Sequence, residues 1–221
     1  FPQIPDTVWT KTFGGSNIDV GYCVQQTSDS GYVITGYTRS YGSMSGRNVL
    51  LIKTDKNGNQ QWINAYGGNA DDEGYSVKQT TDGGYIIAGY TKSYGAGAND
   101  VYLVKTDASG NQLWDRIFGG SQDDYAYSVL QTSDGGFLLA GFSFSYGNGG
   151  DILMIKTNSN GNLVWQKTIG GISSDGAMYM SPTSDGGYIL TGWTLSYGPG
   201  AIGNAFLVKT DSLGNQQWYN Y

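Results

Sequence analysis

Four aspartates occupy one repeated position. Asp19, Asp72, Asp124 and Asp175 each lie four residues after the second glycine of a Gly-Gly pair, and Asp71 and Asp123 double two of them. Carboxylates delivered to one place offer two kinds of chemistry. Oxygen-only ligation suits calcium or another hard cation, and the chain has no histidine to recruit a softer metal. Alternatively, each carboxylate caps its own turn by accepting backbone N–H bonds, which every repeat would need equally. Four bare carboxylates ringed ~8 Å apart would repel by roughly 2 kcal/mol per pair at an effective dielectric of ~20, so such a ring calls for a cation, water or hydrogen-bond donors. No cofactor is required by either reading; a cation on the ring axis is the one bound species they suggest.

A second group of candidates stands at the Ser-Tyr-Gly corners. Tyr41, Tyr94, Tyr146 and Tyr197 sit at the bases of four loops that differ in length and sequence, 43–48, 96–99, 148–150 and 199–204. Variable loops on a rigid scaffold are where binding concentrates. Phenol rings beside carboxylates can stack on a sugar and hydrogen-bond it, although a tyrosine repeated in every unit also reads as packing. Arg47 is unique to its repeat, as a ligand-binding cation or a solvated loop residue. Lys53, Lys105, Lys156 and Lys209 read as structural, solvated or paired between units.

Catalysis finds little support. Without histidine there is no Ser-His-Asp or Cys-His nucleophile. Cys23 is the lone cysteine, with Ser76 and Ser128 as its counterparts, so it reads as a small packed side chain. Glu73 is the only glutamate, and a glycosidase would have to pair aspartates of the repeated set.

The elements that must position these residues are written in the tryptophans. Trp9, Trp62, Trp114, Trp165 and Trp218 are separated by 53, 52, 51 and 53 residues. A period near fifty marks an array of supersecondary units. Within each unit a stretch of period two leads to an Asp-Gly turn (Asp29-Ser30 in the first), a second strand ends at Ser-Tyr-Gly, and an apolar third strand closes with Gly-Asn before the tryptophan strand. These are hairpin signals, and no stretch carries the 3.6-residue period of a helix. Four short antiparallel strands per unit predict an all-β fold, a β-propeller of four blades with repeats near 9–61, 62–113, 114–164 and 165–217, in one domain over 1–221.

The strand after Gly-Gly is then innermost, which puts the aspartates and the variable loops on one face. Residues 7–13 and 214–221 both read as outer strands, giving seventeen strands where four blades need sixteen, so 218–221 is a redundant outer-strand end. A closed four-bladed ring in one chain is the preferred arrangement. Half of an eight-bladed ring, formed by a homodimer through outer-strand exchange, is the alternative.

The segment "KTFGGSNIDVGYCVQQTSDSGYVITGYT" together with "LLIKTDKNGNQQW" resembles the repeat of secreted and cell-surface β-propeller proteins of bacteria and archaea, over essentially 7–221. The "KTDxxGNxxW" corner is similar to the tryptophan-docking corner of quinoprotein-type propellers. The resemblance implies a scaffold outside the cytoplasm, commonly an adhesion or binding module, and no particular ligand; nothing matches the quinone enzymes' inserted loops. A protein or glycan partner at the loop face is expected, with a carbohydrate-binding lectin as the first alternative and a glycosidase-like enzyme as the second.

A net charge of −6 with twelve scattered basic residues speaks against nucleic acid. No apolar stretch approaches the ~20 residues of a membrane span, so no membrane insertion is expected, and residues 1–8 lack the features of a signal peptide.

Overall fold

The computed structural model describes residues 9–43, 45–199 and 203–221. Sixteen strands form four antiparallel sheets, each a simple meander. The first contains β1 (Asp19–Gln26), β2 (Tyr32–Thr38), β3 (Asn48–Thr54) and β4 (Gln60–Tyr66); the second β5 (Asp72–Gln79), β6 (Tyr85–Thr91), β7 (Asp100–Thr106) and β8 (Gln112–Phe118). The third contains β9 (Asp124–Gln131), β10 (Phe137–Ser143), β11 (Asp151–Thr157) and β12 (Leu163–Ile169); the fourth β13 (Asp175–Pro182), β14 (Tyr188–Thr194), β15 (Asn204–Thr210) and β16 (Gln216–Asn220). The chain is an all-β array of propeller blades. Of the outer strand expected over 7–13, residues 7 and 8 lie outside the described residues, and 9–13 join no sheet.

Local chemistry explains the blade. Each first hairpin turns at Thr-x-Asp-Gly-Gly or its variant, where the threonine N–H donates to a carbonyl four residues on. Gly83, Gly135 and Gly186 take left-handed φ of 79–83° at this turn, and in the first blade Ser30 is held there at 67°. Each inner strand bulges opposite a glycine of the second strand; a Cβ on Gly36, Gly89, Gly141 or Gly192 would fall 1.8–1.9 Å from a carbonyl oxygen of the inner strand. Glycine is the residue that permits this approach.

The lysine of each third strand is buried within its own blade, at 4, 4, 8 and 7% exposure for Lys53, Lys105, Lys156 and Lys209. Each pairs with the aspartate of its own first hairpin, Asp29, Asp82, Asp134 or Asp185, at 2.8–2.9 Å, and donates to the carbonyl of the following threonine. The pairing expected between blades is therefore made inside each one. The Lys53 ammonium and the Thr27 hydroxyl hold the Asp29 carboxyl well below the ordinary range. Burial opposes the charge on Asp82, yet the Thr80 hydroxyl and Lys105 bring it down to about 2, and Thr132 and Lys156 hold Asp134 at about 2.

Blades pack in chain order. Val33, Val49 and Leu51 of the first meet Val77, Tyr85 and Ile87 of the second, and equivalent cores join second to third and third to fourth. Strands β3, β7 and β11 are buried along their whole length, covered on both faces, so they read as nearly unbroken apolar runs. Among the described residues no packing comparable to these three interfaces joins the fourth blade to the first.

The tryptophans couple neighbours. Trp62, Trp114 and Trp165 each lie over the Gly-Asn turn of the following blade, where a Cβ on Gly110, Gly161 or Gly214 would fall 2.6–2.8 Å from the indole. Trp9 treats Gly58 of the first blade in the same way. Each of these glycines is left-handed, at φ 75–79°.

Two outcomes are expected in denaturant titrations. Ser30→Gly removes a left-handed penalty of order 1 kcal/mol and raises the unfolding free energy by about that much. Because the hairpin carboxyls titrate lower in the folded state than in the unfolded chain, their stabilisation is present above about pH 4 and is lost as pH falls toward 2, so the urea midpoint should drop across that window.

Candidate functional site

The four repeated aspartates stand at the head of the four inner strands, where the sequence placed them, and each is nearly enclosed by its own corner. Gly15, Gly68, Gly120 and Gly171 donate backbone N–H bonds of 2.8 Å to Oδ2 of Asp19, Asp72, Asp124 and Asp175. Ser40, Ser93, Ser145 and Ser196 donate their hydroxyls to the same oxygens at 2.6–2.7 Å. Thr38, Ser143 and Thr194 donate to Oδ1 of Asp19, Asp124 and Asp175. This is a latch that ties the Gly-Gly loop to the Ser-Tyr-Gly corner. At Asp19 burial works against the charge, and the Thr38, Gly15 and Ser40 donors outweigh it and lower the pKa. Among the described residues no group of three or more acidic, histidine or cysteine side chains converges to hold a metal ion.

The corner tyrosines complete the same latch. The hydroxyls of Tyr41, Tyr94, Tyr146 and Tyr197 donate to the carbonyls of Gly14, Gly67, Gly119 and Gly170 at 3.1, 3.1, 2.6 and 3.1 Å. Their polar ends are spent on the backbone, and they do not gather around one point.

Arg47 is different. It leaves the first blade's loop to form an ion pair with Glu73 of the second, and its guanidinium lies 4.8 Å from the centre of the Tyr37 ring. Glu73 is buried, at 2% exposure. The backbone N–H of Arg47 also donates to Asp71 Oδ1 at 2.9 Å. At the next junction Asn99 replaces the arginine and donates to Asp123 and to the Tyr125 hydroxyl. At the third, the place is taken by Gly150, against which Phe142 and Phe144 are packed.

Around Glu73 runs a wall of tyrosines that the sequence reading missed. Tyr22, Tyr75 and Tyr127, one from each of the first three inner strands, follow each other at ring separations of 5.3 and 5.0 Å. Tyr37, Tyr90 and Tyr125 back them at 5.8–6.0 Å, and Tyr90 meets Tyr125 at 5.4 Å. Burial and the Glu73 charge push the Tyr22 hydroxyl up to about 12. The signal was present: Tyr22, Tyr75 and Tyr127 recur at spacings of 53 and 52, in step with the tryptophans.

The loop face also changes character along the array. The residue before each corner serine is Arg39, Lys92, Phe144 and then Leu195, and Ile172 in the fourth blade is 88% exposed. One half of the face is cationic and the other apolar. Met44 of the first loop and residues 200–202 of the fourth lie outside the described residues.

A second set of carboxylates lies beneath these loops. Asp151 is 4% exposed, its Oδ1 has no hydrogen-bond partner, and burial followed by the nearby Asp175 charge raises its pKa. Asp100 is raised likewise, by burial and by Asp124. The first and fourth blades place Asn48 and Asn204 at this position.

No family model matches the chain, and no curated protein matches it. Solved structures do. An alpha-L-arabinofuranosidase from Clostridium thermocellum ATCC 27405 is 13% identical with a TM-score of 0.48, covering 90% of this chain and 70% of its own. A eukaryotic initiation factor is 9% identical with a TM-score of 0.40, and this chain spans 55% of its length. Neither likeness carries a residue role across.

Asp151→Asn is expected to stabilise the protein at pH 7 by about 1 kcal/mol, because the amide can be buried uncharged. A carboxyl raised in the folded state costs stability above its folded pKa and is relieved below it, so the gain should shrink as pH is lowered through that pKa. Asp124→Ala, which strips several donors of their acceptor at once, should instead cost about 3 kcal/mol in the same urea titration.

Proposed function

We propose that this protein is a non-catalytic recognition module of a secreted or cell-surface protein, taking a protein or glycan partner at its loop face. One observation carries the reading. The residues repeated in every blade are committed to the latch, the lysine pairs and the tryptophan contacts. The residues that differ between blades, Arg39, Lys92, Phe144 and Leu195, and Arg47 with Glu73, belong to the loop face of the array. A rigid frame with its variation on one face is the usual form of a binding scaffold. The extracellular setting rests on the likeness of the repeats to secreted propellers.

Within this reading a glycan is favoured by the tyrosine wall. Tyr22 is 47% exposed, and Tyr75 and Tyr127 are half-buried. Partly exposed rings at this spacing suit the apolar face of a sugar, with Arg47 and Asp71 beside them for its hydroxyls. A glycosidase is less well supported: Asp100 and Asp151, the carboxyls with raised pKa, are 1 and 4% exposed, and Glu73 is neutralised by Arg47.

The test is calorimetric titration with a panel of soluble polysaccharides, followed by product analysis. Binding without cleavage, weakened at least tenfold by Tyr75→Ala, is the expected outcome. Cleavage overturns the non-catalytic assignment. Binding that is indifferent to both Tyr75→Ala and Phe144→Ala overturns the placement of the site.

A further inference from the structure

The two end faces of the array are halves of an interface that the chain already makes three times. Thr191, Ala205 and Leu207 of the fourth blade are exposed. Their counterparts by spacing, Thr35, Val49 and Leu51 in the first blade, are at most 1% exposed, and those of the second and third blades are buried as well. The vacant face is indented by an open depression of about 240 Å³ lined by Thr191, Ala205, Phe206, Leu207, Asn220 and Tyr221. On the opposite end the inner-strand side is open: Val24 is 62% exposed, whereas Val77, Val129 and Met180 at the same position are fully buried against a preceding blade, while Leu50 and Ile52 of β3 are already covered, at 2% exposure each.

The outer edge of that first-blade face is already dressed as a junction. Trp9 lies over the Gly58 turn and 6.0 Å from Tyr32, as Trp62 lies over Gly110 and 5.8 Å from Tyr85. Lys11 reaches Asn59 as Lys167 reaches Asn215. Residues 9–13 thus stand in for the outer strand of a missing blade. Trp218 has no turn to cover and is 47% exposed, so the chain has five such tryptophans for four Gly-Asn turns.

We propose that a second copy of this chain docks head to tail, its fourth blade packing on the first blade of its partner, with Trp218 taking the Gly58 turn from Trp9. The occupant follows from the faces themselves: the surface that fits Val24 and the Gly58 turn of the first blade is the forward face of a blade of this sequence, and the fourth blade offers one uncovered. Strand β16 is hydrogen-bonded to β15, whereas residues 9–13 belong to no sheet, so the N-terminal segment is the one that yields. The interface is heterologous: two copies close a ring of eight blades, and an interface that does not close continues as a longer series. This inference is independent of the glycan reading, since neither end face contains the tyrosine wall.

Light scattering of the full chain over a concentration series tests it. The expected mass is twice the 23.7 kDa of one chain, or a higher multiple. Trp9→Ala, which removes the competitor, should lower the concentration of half-association at least tenfold. Leu207→Asp and Val24→Asp alter exposed side chains at opposite ends, and each alone should return the mass to 23.7 kDa. Mixed together, the two variants retain one intact junction and should form a pair. A mass of 23.7 kDa at every concentration for both the unaltered chain and Trp9→Ala overturns the proposal. So does an assembly that survives either aspartate, or a mixture that fails to pair.

Discussion

The carboxylate at the head of each inner strand is the constraint on which the rest of the array depends. Asp124 joins three pieces of chain that are distant in sequence: the Gly119-Gly120 loop, the start of β9, and the Ser143–Tyr146 corner. A buried charge is tolerated only when donors surround it, and here they come from the backbone and from hydroxyls rather than from a counter-ion. The latch fixes where the chain enters the blade and where it leaves toward the variable loop. Because Gly120 passes so close to Ser145 that a Cβ would fall 2.7 Å from the serine Cβ, no other residue fits beside it. The Gly-Gly, Asp and Ser-Tyr-Gly signatures are one device seen at three places in the sequence.

Much of this was legible in the chain. Hairpins were announced by Asp-Gly and Gly-Asn, strand order by the period near fifty, and the tryptophan contacts by the corner motif, because these are local rules repeated four times. The partner of each buried lysine was harder to see: Lys53 and Asp29 are 24 residues apart, and only the register of β2 against β3 brings them together. The tyrosine wall was hidden although Tyr22, Tyr75 and Tyr127 keep strict step with the repeat, because an aromatic residue repeated in step reads equally as core packing. The uncovered ends were not legible at all, since Leu207 and Leu51 are the same residue in the same context, and burial is decided by whether a blade stands beyond them.

The same repetition separates frame from function. Where all four blades agree, a physical reason within the blade or at its junction with the next accounts for the residue. Where they disagree, as at Arg47, Asn99 and Gly150, the junctions differ in chemistry while the backbone stays alike. The Asn48, Asp100, Asp151, Asn204 series is a smaller instance: amides serve at the ends of the array, and charged carboxyls are carried in its middle at some cost to stability.

Blades that, among the described residues, pack chiefly on their sequence neighbours also have a mechanical consequence. Such a stack is close to one-dimensional, with stability a sum of unit and nearest-neighbour terms. A load applied between the two ends of the chain would meet the terminal blades first, each held by a single interface, and would peel units away in turn rather than shear the whole body at once. Each unit of roughly fifty residues would release about 17 nm of chain at ~3.4 Å per residue. A protein built this way would lengthen under force in even steps, and its inner blades would remain folded after its outer ones had given way.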